Sequence, residues 1–265
     1  MQERRTLENG ILIHVIDVGQ GDCMVIETSD GNVMIDTGTN ISESALRGYL
    51  RSRGLGHFGY LILSHPHDDH IGNADMILKE FHVDRLLCAE TQSVEPVWQE
   101  TLAALDEAQK TNSTEWIRPI NGSVYWVGKL RIEILQIPEA ENRGENDDSM
   151  IVRLDYGDCS MLLTGDAENK AEERLLVGVS SERLKADFLK VAHHGASGST
   201  GETFLQAVSP AIAVISAGES NSFGHPHEEL LNRLRTLNVD VFRTDINGTL
   251  VFYCDGQIIS PRKLF

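Results

Sequence analysis

Seven of the ten histidines in this chain fall in three tight groups: His65, His67 and His70; His193 and His194; His225 and His227. The densest is HPHDDH, three imidazoles and two carboxylates within six residues. His65 and His67 are two apart, so in an extended segment stiffened by Pro66 they share a face. Asp69 and His70 fall where the chain should turn into a helix. This donor mixture suits Zn²⁺, Mn²⁺ or Fe²⁺, and two donors from the extended part with two from the turn would serve two adjacent ions. A divalent ion brings the pKa of a bound water from 15.7 toward ~7 and takes up charge developing on a substrate oxygen. Two ions about 3.5–4 Å apart hold both oxygens of an in-line phosphoryl displacement.

LLTGD places Asp166 at the end of an apolar run, where a carboxylate is costly unless paired or metal-bound. Alone, TGD is a common turn; beside the histidine cluster it reads as a bridging ligand. HHG adds an imidazole, with Gly195 permitting close approach. Asp36, Asp17 and Asp22 sit at strand ends and turns, where they either orient a ligand from behind or shape the turn. His225, in FGHPH, is either a group contacting substrate or protonating a leaving group, or a structural ring. His227 reads as a helix-start residue, and the isolated His14, His57 and His82 as structural or exposed.

Apolar strands ending in turns position all of these groups. ILIHVIDVG, CMVIET and VMIDTG read as three short strands, with Asp30-Gly31 as a hairpin signal. Residues 42–54 have helical spacing ending at Gly54. GYLILS is a strand running directly into HPHDDH. Helices are expected over 73–80 and over 95–110, with Pro96 near the start, and a strand over 83–89. From Ser123 the pattern is strand-rich again: SVYWV, KLRIEILQI, SMIVRLDYG and CSMLLTGD, with a polar loop over 138–148. Residues 167–178, 200–208 and 227–238 read as helices. DFLKVAHHG (187–195) and AIAVISAG (211–218) read as strands, and VDVFRTD, GTLVFYCDG and QIIS close the chain. The order is β-rich then α/β, twice. Two sheets packed face to face with helices outside satisfy it, in one domain over 1–265.

The composition is that of a globular protein: 41% hydrophobic and 24% charged over 265 residues. The formal charge of −17 makes tight nonspecific DNA binding by the bare surface unfavourable, although bound cations reverse the sign locally. Cys23, Cys88, Cys159 and Cys254 form no CxxC pair and read as small buried side chains of a reducing compartment. No apolar run reaches ~18 residues, and the first ten residues are polar, so the expectation is a cytoplasmic protein with no membrane segment.

Together these residues resemble the metallo-β-lactamase superfamily, with the HxHxDH motif at His65, His67, Asp69 and His70, the later aspartate at Asp166 and the later histidine in His193-His194. The resemblance implies a four-layer αββα sandwich with a mono- or dinuclear site at one edge of the sheets. A narrower likeness covers about residues 11–256. HVIDVGQGDCMVIETSDGNVMIDTG, DDSMIVRLDYGDCSMLLTGDAE, LKVAHHGASGST and SAGESNSFGHPHEELLNRL resemble the hydrolase domain of ComEC-type competence proteins. There the domain is attached to a membrane channel and linked to degradation of one DNA strand. Many superfamily members carry a further histidine before TGD; this chain has none between His82 and His193. GENDDSM stands in that region, so Asp147, Asp148 or water would complete the shell. Ala196 also stands where related sequences often carry serine.

The resemblance assigns His65 and His67 to one ion, Asp69 and His70 to the other, Asp166 as the bridge, His194 in preference to His193 at the second ion, and Asp148 as a further ligand. Asp69 and His225 are the candidate catalytic groups. Two divalent ions, zinc or manganese, would activate water for a phosphodiester, either a small one or single-stranded nucleic acid. Two other readings are weighed. One is a hydrolase of another ester, such as a choline phosphodiester, lactone or thioester. The other is a non-catalytic metal-binding accessory protein.

Overall fold

The structure, a computed structural model, describes residues 7, 9–137 and 145–262. β1 (Ile11–Val15), β2 (Met24–Thr28) and β3 (Gly31–Ile35) form the expected antiparallel start. α1 (Glu43–Arg53) then crosses to β4 (His57–Ile62), which pairs parallel with β3. Two short helices follow, α2 (Asp68–Ile71) and α3 (Ala74–Glu80), and then β5 (His82–Leu87). α4 (Pro96–Thr111) leads to β6 (Glu115–Ile117), an edge strand too short to leave a periodic signal in the sequence.

The second sheet is built from β7 (Val124–Val127), β8 (Leu130–Gln136), β9 (Ile151–Tyr156) and β10 (Cys159–Leu163), all antiparallel. α5 (Asn169–Gly178) and α6 (Ser181–Leu184) lead to β11 (Phe188–Lys190). α7 (Glu202–Val208), β12 (Ile212–Ile215), α8 (Glu228–Thr236) and β13 (Asp240–Arg243) follow, with β10 to β13 parallel. After α9 (Thr244–Asn247) the chain returns to the first sheet. β14 (Leu250–Cys254) pairs with β1, and β15 (Ile259–Arg262) with β14. Among the described residues the sheets have eight and seven strands.

Three apolar layers hold this together. Ile11, Ile13, Ile26 and Ile62 of the first sheet meet Ile132, Ile134, Met161 and Phe188 of the second between the sheets. Leu46, Leu50, Ile77 and Trp98 of the helices cover the outer face of the first sheet, and Leu175, Phe204, Leu205, Leu230 and Leu234 that of the second. The result is the αββα sandwich. Central strands are covered on both faces, so they read as continuous apolar runs rather than alternating ones. All four cysteines are free and buried. Among the described residues no helix is long and apolar enough to cross a membrane.

Two expectations need correcting. The strand expected over 187–195 stops at Lys190, and residues 192–195 form a tight 3-10 turn instead. Of the loop expected over 138–148, residues 138–144 lie outside the described residues, and Asn146–Asp148 form a 3-10 turn.

Candidate metal centre

β3, β4, β10, β11 and β12 all end at the same edge of the sandwich, the general location of ligand sites in open α/β sheets. Asp36, Ser64, His65, Asp166, His193, His194 and Ser216 all fall within four residues of those strand ends. Distant segments are thus brought together by strand direction alone.

One ligand atom from each of Asp69, His70, Asp166 and His194 lies within 4.8 Å of the others. His70 and Asp69 come from the first turn of α2, Asp166 from the turn after β10, and His194 from the turn after β11. His65 and His67 join from the extended approach to α2. His65 Nε2 is 3.0 Å from His67 Nδ1, and the His65 and His70 rings are 4.2 Å apart. The structure therefore brings together the motif residues, Asp166 and His194.

Each buried ring is oriented from behind, which fixes the nitrogen that faces the centre. His194 Nδ1 is 3.0 Å from the Ser216 carbonyl oxygen, which only accepts, so Nδ1 carries the proton and Nε2 points inward. Asp36 Oδ2 accepts from His70 Nδ1–H at 2.9 Å and from the Ser64 hydroxyl at 2.7 Å, and its Oδ1 accepts from the Ser64 amide at 2.8 Å. The Ser64 oxygen lies 3.1 Å from His65 Nδ1, so it accepts from that ring and turns His65 Nε2 toward His67. Asp36 thus positions two rings, as sequence reasoning allowed. Ser64 was not anticipated; its signal was its place immediately before HPHDDH.

The second sheet supplies a different support. Lys190, 2% exposed, holds Asp22 Oδ2 at 2.7 Å and donates to the Val191 carbonyl. Asp22 Oδ1 lies 3.4 Å from His194 Nδ1. Burial raises the Asp22 pKa, but Lys190 and His194 outweigh it and hold the carboxyl at about 2. Lys190 was also missed, although a lysine inside DFLKVA was a readable anomaly. Gly21 completes the packing. A Cβ there would lie 2.4 Å from the Asp69 carbonyl oxygen, to which the Asp22 amide donates at 2.9 Å.

His193 and His194 both adopt positive φ, 48° and 52°, followed by Gly195 at 88°. Two non-glycine residues in the left-handed region store roughly 1–3 kcal/mol each. The gain is that adjacent side chains splay apart. His194 points inward, while His193 turns to Glu168 at 2.9 Å and keeps 3.9 Å from Asp166. A Cβ at Gly195 would meet Pro226 at 2.5 Å.

The residues fit divalent ions. His70 Nε2 and Asp166 Oδ1 are buried and 3.0 Å apart, yet neither has a hydrogen-bonded partner, as befits donor atoms left free to ligate an ion. Burial disfavours charge on every member, yet His70 is pushed well up by Asp166 and Asp36, and His194 to about 10 by Asp166 and Asp22. Burial opposes charge on Asp166 too, but His70 and His194 hold it well below the usual carboxylate range. Asp22, Asp36, Asp69 and Asp166 outnumber the resident Lys190, so protons on imidazoles balance charge that a divalent ion is suited to balance.

Asp148 is not among the four convergent groups. Its Oδ2 accepts from the Glu145 amide at 3.2 Å, capping its own turn. Asp147 Oδ1 accepts from the amides of Glu168 and Ala171 and caps α5. It is Ser149, the next residue, that reaches the centre. Its hydroxyl is 3.3 Å from His65 Nδ1 and accepts from the Asp166 amide at 3.0 Å. Asp17 caps the Gly19 amide at 3.1 Å and stays a turn residue.

His225 lies on the rim, its ring 5.5 Å from His193 and 6.3 Å from His194, with Phe223 stacked outside it. Burial, then the neighbouring His194 and His193, lower its pKa to about 4, so at neutral pH it accepts protons rather than supplying them. His227 accepts from the Ser197 amide and sits at the start of α8. His14 is buried between Tyr49 and Glu27, and His57 and His82 are exposed.

Comparison with known proteins agrees with this geometry. The family model described as the metallo-beta-lactamase superfamily matches residues 16–219. ComE operon protein 3 of Bacillus subtilis is 34% identical over 264 residues, covering 93% of this chain and 33% of that protein. Competence protein ComA of Neisseria gonorrhoeae is 30% identical, covering 92% of this chain and 32% of that protein. The chain therefore spans about a third of the length of these relatives. Among solved structures, the metallo-beta-lactamase fold protein YhfI from Bacillus subtilis superimposes with a TM-score of 0.63 at 16% identity, covering 93% of this chain and all (100%) of that one. A diphosphatase of the PhnP family superimposes with a TM-score of 0.52 at 14% identity, covering 87% of this chain and 94% of that one. With its motif, fold and convergent ligands in agreement, the chain belongs to the metallo-β-lactamase superfamily of metal-dependent hydrolases.

Proposed function

We propose that this chain is a phosphodiesterase, with single-stranded nucleic acid or a small phosphodiester as substrate and zinc or manganese as the metal. The observation that carries the reading is the convergence of Asp69, His70, Asp166 and His194 with His65 and His67 at an edge that stays open. Asp69 and His193 side chains remain 33% and 25% exposed, and Phe223 is 64% exposed. An open rim admits a chain-like substrate, which a closed pocket excludes. The name of one relative, competence protein ComA, is consistent with a nucleic-acid substrate.

When bound, a pair of divalent ions activates solvent and neutralises charge gathering on the phosphoryl oxygens. Asp166 would be the group shared by the two ions, with His65 and His67 holding one and Asp69, His70 and His194 the other. Asp36, Ser64 and the Ser216 carbonyl keep the rings in the tautomers that bind metal. His225, neutral at pH 7, is placed on the rim to accept a hydrogen bond or proton from the substrate side. The four buried free cysteines support placement in a reducing compartment, the cytoplasm.

A second reading, hydrolysis of another small ester, is favoured by the net charge of −17, which opposes long polyanions. The test is turnover of bis-p-nitrophenyl phosphate, single-stranded DNA and a lactone by chelator-stripped protein reloaded with Zn²⁺ or Mn²⁺. Turnover of the phosphodiesters is expected, with loss in Asp166→Asn. Lactone turnover alone would favour the second reading. Bound metal without turnover of any class would make this a non-catalytic accessory protein, and no phosphodiesterase activity with either ion overturns the proposal.

A further inference from the structure

At the opposite end of β4 the structure gathers a second set of metal-ligating side chains. His57 opens β4 and His82 opens β5, and the two residues are direct partners in the parallel ladder. Asp84 follows His82 by two positions, so it projects on the same side of the sheet. The carboxylate oxygen Oδ1 of Asp84 lies 2.9 Å from His57 Nε2 and 3.1 Å from His82 Nε2. The two rings are 4.8 Å apart and inclined at 61°. One donor atom from each residue lies within 4.8 Å of the other two.

We propose that His57, His82 and Asp84 form a separate surface site for a borderline transition-metal ion, Zn²⁺ above all, with a solvent molecule in the fourth position. Two imidazoles and a carboxylate suit Zn²⁺, whose N and O ligands sit about 2.0–2.2 Å away. Donors of a tetrahedral ion at that radius are spaced roughly 3.3 Å apart, close to the separations already present. The ladder holds the residues in register, and Asn32 Nδ2 donates to the His57 carbonyl at 2.8 Å, which steadies the start of β4. Little reorganisation is needed for the three donors to close on one ion. Side-chain exposures of 57%, 49% and 37% for His57, His82 and Asp84 leave the ion a route in from solvent. Five residue steps along β4 put this site roughly 17 Å from the end that leads to HPHDDH. It is therefore distinct from the hydrolytic centre and does not depend on how that centre acts.

The test is metal stoichiometry by equilibrium dialysis against micromolar Zn²⁺, after chelator treatment, for the wild type, His82→Ala, Asp84→Asn and Asp166→Asn. The first two variants are expected to bind one equivalent fewer than the wild type at unchanged phosphodiesterase activity. Asp166→Asn should retain that equivalent. Paramagnetic broadening by Cu²⁺ of the His57 and His82 ring signals, abolished in Asp84→Asn, is the second readout. Equal Zn²⁺ uptake by the wild type and both trio variants, or Cu²⁺ broadening that spares these rings, overturns the proposal. Loss of activity alone in Asp166→Asn bears only on the hydrolytic centre.

Discussion

The first sheet and the second sheet both deliver donors to the metal centre, but by different constructions. The first sheet supplies His65, His67, Asp69 and His70 from six consecutive residues, and one carboxylate, Asp36, supports two of the rings directly or through Ser64. The second sheet supplies isolated donors, Asp166 and His194. Each needs its own device: a Ser149 hydroxyl for the Asp166 amide, left-handed backbone at His193 and His194, and a buried lysine behind them. A contiguous motif shares its supports, whereas separated ligands require more of the surrounding fold.

That contrast can be broken at several points. Replacing Asp166 by Asn removes the buried carboxylate proposed to serve both ligand sets. Metal uptake at both should fall, and turnover should drop by roughly 10³-fold or more as solvent returns toward its ordinary pKa; metal analysis with initial rates checks this. Lys190→Met removes the support that the second sheet provides. It leaves the buried Asp22 without its lysine and with only the histidines beside it, and denaturant unfolding should show a loss of about 3–5 kcal/mol. Asp22→Asn in the same chain should restore part of that loss, since the two residues act as a pair.

On the first sheet, Asp36→Ala removes the acceptor for His70 Nδ1 and the Ser64 hydroxyl. Metal affinity should fall by about 10–100-fold, measured by competition with a chromophoric chelator. A similar fall in Lys190→Met would mean the two supports are equivalent and the contrast is empty.

The smallest effect concerns His225 in metal-free protein. Its folded pKa of about 4 lies below its ordinary 6.5, so between those values the unfolded chain binds a proton that the folded ring refuses. Stability contributed this way is present above pH 6.5 and falls as the pH drops toward 4. His225→Gln should flatten the slope of stability against pH across that interval by less than one proton. An unchanged slope would show that the ring titrates normally.

The histidine cluster was readable because its chemistry is local. Two positions of extended chain and one turn of helix suffice to converge four donors, whatever the rest of the fold does. Asp166 was readable for a related reason, as a carboxylate ending an apolar strand. Lys190 stood out as a charge inside an apolar run, but its role and that of Ser149 were not readable, because each acts through partners far away in sequence: Lys190 through Asp22, Ser149 through His65. The family resemblance, by aligning GENDDSM with the region of the missing histidine, invited the aspartates into the site. The structure instead commits Asp147 to capping α5 and Asp148 to its own turn, and leaves the serine facing the centre.

The amino-acid order by itself determined the αββα class, since its apolar runs and helical segments alternate in two similar halves, and it singled out HPHDDH as the first four candidate ligands. Tertiary structure decided which of His193 and His194 faces inward, because that depends on backbone dihedrals held by packing of Gly195 against Pro226. It also decided that β14 and β15 return to the first sheet beside β1. Strand partnership is a long-range choice, made by hydrogen-bonding edges and a shared core rather than by anything written within the strands themselves.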